Sequence, residues 1–274
     1  MNDLINIISQ PFMQRAILGG LIVASMCAVT GVFVTLRKES FISEAIAHAS
    51  LAGVAIAFLI AAQPLWIAVI VGVLTSLGIT FVQKRSNISA DAVIGIFLTV
   101  VFAFGVLILN LLPGYRPELT SYLFGSILSV TQNDIWTSIV FLVPVLGIVA
   151  VLYRPMLFAA FDPEYAQVRG IKVGLFDYLT RIMAAIVVVL SIKLVGIVLV
   201  TALIVIPASC AKLFAAKFSQ MIPLSLLFAI ISIIVGLFAS YFLNVPSGST
   251  IVLTAGALFA VFGTIRAAWA HTRE

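Results

Sequence analysis

The sequence predicts an all-α integral membrane protein of eight or nine transmembrane helices, and three observations predict it. Of 274 residues, 63% are hydrophobic and 9% charged, with a mean hydropathy of +1.25. A soluble domain carries roughly 25% charged residues because its surface faces water, so the solvent of this chain is largely lipid. The apolar residues gather in runs close to the roughly 20 residues that cross a bilayer. Basic residues stand between those runs in alternate loops, where orientation signals belong.

The first run, about 14–36, ends at Arg37 and Lys38. Met1 to Gln14 lacks the basic start and small-residue cleavage site of a signal peptide, so this run is read as a retained helix. The second, 42–62, and third, 64–82, are separated only by Ala62 to Pro64, and Lys84 and Arg85 close the third. The fourth, 91–112, leads into Leu112 to Asp134, which holds Pro113-Gly114 and a single basic residue, Arg116. Within that loop Tyr122 to Val130 is apolar but too short to span, and it reads as an interfacial or external helix. The fifth run, 134–153, meets Arg154. The segment Phe161 to Asp177 then carries Asp162, Glu164, Arg169, Lys172 and Asp177, a mixed-charge surface suited to a soluble partner or simply to solvent.

The sixth run is 177–194. The seventh, 196–211, is short and reads as a broken or partial helix ending at Pro207, because proline cannot continue a helix cleanly. Lys212 and Lys217 follow it. The eighth and ninth, 222–243 and 249–266, are joined by the uncharged Asn244 to Gly248, and Arg266 and Arg273 close the chain. Basic loops alternating with neutral ones give nine crossings, an outside N-terminus and a cytoplasmic C-terminus. Arg15 and Lys193 fit this poorly, which keeps eight crossings open.

No low-complexity tract, repeat or linker interrupts the chain, so residues 1–274 form one transmembrane domain. The net charge of +5 belongs to the loops and implies no nucleic-acid surface. Cys27 and Cys210 lie in apolar runs, where cysteine behaves as a small hydrophobe. No phosphate-cradling loop of the Walker type is present, and two histidines give a catalytic constellation little to work with.

The exception to the apolar monotony is Ser43-Glu44-Ala45-Ile46-Ala47-His48-Ala49-Ser50. Glu44 and His48 are four apart and so share one helix face. A carboxylate at membrane depth costs about 2.5–3.5 kcal/mol and persists where it faces protein or water and finds a partner. Imidazole nitrogen with carboxylate oxygen suits zinc, or manganese at the harder end. The bland alternative is an interfacial salt bridge from Glu44 to Arg37 or Lys38, with His48 as packing. Two ligands are too few for a closed metal site, which takes four, and a two-fold dimer would supply two of each. The small residues Ala45, Ala47, Ala49, Ser50, Ala52, Gly53 and Ala55 allow close helix approach. Beyond Pro207, the stretch Ala208 to Lys217 reads as a short amphipathic basic helix that either docks on another protein or merely ends a kinked span.

These residues resemble the membrane subunits of bacterial zinc, manganese and iron ABC importers. Phe41 to Ala55 looks like that family's acidic-x-x-x-His-Ala segment, and Ala202-Leu-Ile-Val-Ile-Pro-Ala-Ser-Cys-Ala like its Pro-Ala-Ala-x-Ala coupling segment. Tyr122-Leu-Phe-Gly125, Asp91-x-x-x-Gly95-Ile and Val245 to Leu253 match further stretches, in order, through nearly the whole chain. The resemblance implies a homodimeric type II importer fold in the cytoplasmic membrane. It implies two cytoplasmic ATPase subunits, which hydrolyse ATP in this chain's stead, and an extracytoplasmic metal-binding protein. Zinc or manganese is then transported cargo, with no permanently bound cofactor. Carried over, Glu44 and His48 coordinate metal in transit, with Glu44 where the family usually has Asp. Pro207, Ala208, Ser209, Ala211, Lys212, Ala215 and Lys217 form the ATPase-coupling region. The competing class is an ATP-independent cation transporter or channel, which predicts ionisable residues in several helices, whereas this chain has essentially one such cluster. A structural or assembly membrane protein would need no intramembrane Glu/His pair at all.

Overall fold

The computed structural model describes residues 9–111, 125 and 127–271. Its helices are α1 Pro11–Leu36, α2 Ile42–Leu59, α3 Pro64–Arg85, α4 Ala90–Leu111, α5 Gln132–Phe161, α6 Pro163–Val168, α7 Val173–Val195, α8 Ile197–Phe214, α9 Met221–Leu243 and α10 Ser247–His271. All but α6 are long and apolar enough to cross a membrane, which makes nine candidate spans among the described residues. The chain is a multi-pass membrane protein.

Local chemistry sets the helix ends. Pro11, Pro64 and Pro163 open α1, α3 and α6, where a missing N–H costs nothing and a fixed φ helps. Thr131 caps α5 reciprocally: the Asp134 N–H donates to Thr131 Oγ1, and the Thr131 N–H donates to Asp134 Oδ2.

Helix α1 is the hub. It packs against α5, α7, α8, α9 and the short 3₁₀ turn Ile127–Ser129. On one side α2 lies between α3 and α4, and α7 backs α3; on the other, α8, α9 and α10 pack on one another. A Cβ at Gly53 would stand 2.5 Å from Ala68 Cα, and one at Gly105 would stand 2.8 Å from Ala52 Cα. Both neighbours therefore meet α2 almost backbone to backbone, the contact that small residues permit in lipid. Gly196 alone joins α7 to α8, with φ +84, and Gly125, with φ +53, lies directly against it. Both occupy the left-handed region that glycine enters without strain, and a Cβ on Gly125 would overlap the Gly196 backbone.

Four expectations change. The seventh run is no broken helix: α8 continues through Pro207 to Phe214. Proline removes one hydrogen bond, but Leu203, Ile204, Ala208 and Ala211 on either side are fully buried, and α8 is held by α1, α9 and α10. Neighbouring helices compensate such a loss in membranes. Ala208 to Phe214 is consequently the end of a span and not a separate docking helix. The apolar stretch Tyr122 to Val130 lies partly outside the described residues; within it, Ile127–Ser129 forms one 3₁₀ turn, with Ile127 buried against Gly20 of α1.

The mixed-charge segment is also less of a surface than its sequence implies. Asp162 caps α6 by accepting from the Tyr165 N–H, while Asp177 lies inside α7 and points inward onto Arg37 and Lys84. Lys193, the misfit in the basic pattern, is neutralised by Asp134 at 2.5 Å. Arg15 donates to the Pro11 carbonyl at 3.2 Å, at the start of its own helix.

Candidate functional site

Helix α2 is built mostly of small residues and is buried on most sides, yet one stripe of it stays open. Ala45, Ala47, Ala49, Ala52 and Ala55 are buried, while Glu44 retains 44% and His48 21% of side-chain exposure. The periodicity that placed these two on one face holds: His48 Nε2 lies 3.9 Å from Glu44 Oε1. That separation is too long for a hydrogen bond. It is short enough for one ion to reach both atoms at the roughly 2.0–2.2 Å of zinc–nitrogen and zinc–oxygen bonds.

The imidazole is placed by packing alone. Its ring stands edge-on to Phe102 of α4 at 4.9 Å, and its buried Nδ1 has no hydrogen-bond partner. Metal-holding histidines usually donate from the second nitrogen to a fixed acceptor, which raises their basicity. His48 has no such acceptor among the described residues. Among the described residues no cluster of three or more His, Cys, Asp or Glu side chains forms within the single chain.

Among the described residues no ion pair joins Glu44 to Arg37 or Lys38, and Arg37 is engaged elsewhere. Arg37 bonds to Asp177 and lies 3.9 Å from Glu39, while Lys84 reaches Asp177 at 3.2 Å. Arg181 of α7 completes the group, donating from both Nε and Nη2 to the Glu39 carboxylate. These five charges tie the α1–α2 turn to the inner ends of α3 and α7, one helical turn from Glu44. Burial pushes the Arg37 guanidinium down from its ordinary value, with the Glu39 carboxylate opposing that effect, and arginine stays charged regardless. The reading of the sequence missed Arg181. Its signal was there: a charge inside an apolar run, four residues after Asp177, needs a partner.

The residues that the resemblance assigns to coupling divide by burial. Pro207, Ala208 and Ala211 face the interior, and Ser209 and Ala215 are half-buried. Lys212 and Lys217 are exposed at the end of α8 and in the connector after it. The connector after α8 is held in place: Tyr153 Oη of α5 donates to the Phe218 carbonyl at 3.0 Å, and the Phe218 ring meets Phe161 edge-on at 4.5 Å. Lys38 stands nearby with φ +59, closing α1 in the left-handed position that glycine usually takes. A side chain there costs roughly 1–2 kcal/mol.

With this geometry in hand, residues 9–266 match the ABC 3 transport family. The chain belongs to that family. The ABC 3 match includes both α2 and the α8–α9 connector. The chain is 37% identical to the manganese transport system membrane protein MntC of Halalkalibacterium halodurans, over 93% of this chain and 87% of that one. It is 28% identical to the high-affinity zinc uptake system membrane protein ZnuB of Haemophilus influenzae, over 90% and 94%. Among solved structures, PsaBC from Streptococcus pneumoniae in complex with Fab superposes with a TM-score of 0.84 at 30% identity, covering 95% of this chain and 94% of that one. The fold of this ABC 3 member is thus that of an ABC transporter permease.

Proposed function

We propose that this chain is the membrane subunit of an ABC importer that moves a divalent metal ion, manganese or zinc, across the cytoplasmic membrane into the cell. The carrying observation is the open Glu44–His48 pair, whose donor atoms stand 3.9 Å apart on an otherwise buried helix. The manganese system of MntC and the zinc system of ZnuB support the cargo class. Two ligands per chain favour a homodimer in which two carboxylates and two imidazoles meet one ion. ATP hydrolysis then belongs to cytoplasmic partner subunits acting on the Pro207–Lys217 region, and an extracytoplasmic binding protein delivers the ion. An ATP-independent relay is disfavoured because the largely buried carboxylates Asp134, Asp177 and Glu39 are committed to lysine or arginine.

The test is metal uptake by the complex reconstituted in liposomes. His48→Ala removes two of four ligands at once in a dimer, so manganese and zinc uptake should fall at least tenfold with assembly intact. Unchanged uptake by that variant would overturn the site.

A further inference from the structure

We infer that Phe102 of α4 is a positioning residue for the proposed metal site: its ring holds the His48 imidazole where Nε2 faces Glu44. This rests on the proposed importer reading and deepens it, by naming what sets the nitrogen ligand and, through it, the balance between zinc and manganese.

The imidazole has little else to hold it. Nδ1 is buried with no hydrogen-bond partner, and Nε2 stands 3.9 Å from Glu44 Oε1, beyond hydrogen-bond reach. The Phe102 ring lies 4.9 Å away, centroid to centroid, with the two planes at 77°. That is the edge-to-face geometry which aromatic pairs prefer. Nε2 lies at the far end of its side chain, so a turn to another staggered rotamer would swing it away from Glu44.

The register that sets Phe102 opposite His48 is fixed one helical turn further along. A Cβ at Gly105 would stand 2.8 Å from Ala52 Cα and 2.9 Å from Ala52 N, so α4 cannot slide on α2 at that level. Phe102 and Gly105 are three apart and His48 and Ala52 four apart, which puts each pair on one helix face. The two contacts also follow in the same chain order, as two spans separated by a single third span require. Beyond them Leu51, Ala55, Ile108 and Leu109 form a small core between α2 and α4, separate from the main one, against which Phe102 packs. Aliphatic residues thus already supply the packing of this seam, and what Phe102 adds beside His48 is an oriented ring.

Orientation matters unequally to the two cargoes. Imidazole nitrogen is a good donor for zinc, whereas carboxylate and water oxygen suit manganese. A swinging His48 therefore costs zinc more, because Glu44 and water still serve manganese. A general loss of packing would lower uptake of both metals alike.

The test is uptake of zinc and of manganese, each over a range of free metal, by the full complex in liposomes. Phe102→Leu and Phe102→Met keep apolar bulk at the seam and remove the ring. Each should raise KM for zinc about threefold to tenfold, the size expected of one aromatic contact, and KM for manganese by less than about twofold. Phe102→Tyr keeps the ring and should restore the wild-type ratio of the two KM values. A wild-type ratio in the Leu and Met variants, or an equal loss for both metals, would overturn the inference and leave the Glu44–His48 site standing. His48→Ala, measured alongside, separates the two readings: normal uptake of both metals by that variant would overturn the site itself, and the role of Phe102 with it.

Discussion

Glu39 and Arg181, separated by 142 positions in the chain, meet in a two-pronged ion pair with Arg181 Nε 3.0 Å from Glu39 Oε2. Both are almost fully buried, at 8% and 5% exposure. Glu39 also neighbours Arg37, which binds Asp177, which binds Lys84. The pair is the inner end of a chain of charges that fixes where α2, and with it Glu44 and His48, begins.

Breaking that pair from one side should therefore be far worse than removing it. Arg181→Met alone leaves the buried Glu39 with only its 3.9 Å contact to Arg37 and should destabilise the protein by about 3 kcal/mol. Arg181→Met with Glu39→Leu should recover most of that, since an apolar pair of similar size is often neutral. Thermal unfolding of the detergent-purified single and double variants checks this. Equal loss in both would show that the charge itself, and not its pairing, matters.

At the proposed transit site, Glu44→Asp shortens the carboxylate arm by one methylene while keeping its charge. Uptake should survive, with an altered preference between zinc and manganese. Glu44→Gln keeps the size but removes the anion, and should lose at least tenfold in uptake. Competitive uptake of the two metals in proteoliposomes separates the variants, and equal transport by Glu44→Gln would remove Glu44 from the path.

Orientation is testable with thiol labelling. Cys27 and Cys210 are buried, at 0% and 1% exposure, so the native folded protein should resist membrane-impermeant maleimide. With both replaced by Ala, Asn87→Cys should label only from the cytoplasmic side and Pro246→Cys only from outside. These positions lie in the α3–α4 and α9–α10 turns, exposed in the structure. Labelling of both from one side would contradict the crossing number.

What the sequence determined by itself is what depends on near neighbours. Hydropathy is a local sum, so the spans were legible to within a few residues for most elements, as in 42–62 against Ile42–Leu59 and 222–243 against Met221–Leu243. Helical periodicity is local too, and it placed Glu44 and His48 on one face before any packing was known. Tertiary structure decided which charges are spent and which remain free. Arg37 and Lys38 are adjacent, yet one is locked onto Asp177 while the other stands in a pocket with Lys212 and Lys217. It decided that Pro207 continues α8, because burial by α1, α9 and α10 outweighs one lost hydrogen bond. It also brought Gly125 against Gly196. In lipid, a charge or a broken hydrogen bond must be answered by some partner, but the partner is set by how helices pack across the chain, and that contact is not written in any single run of residues.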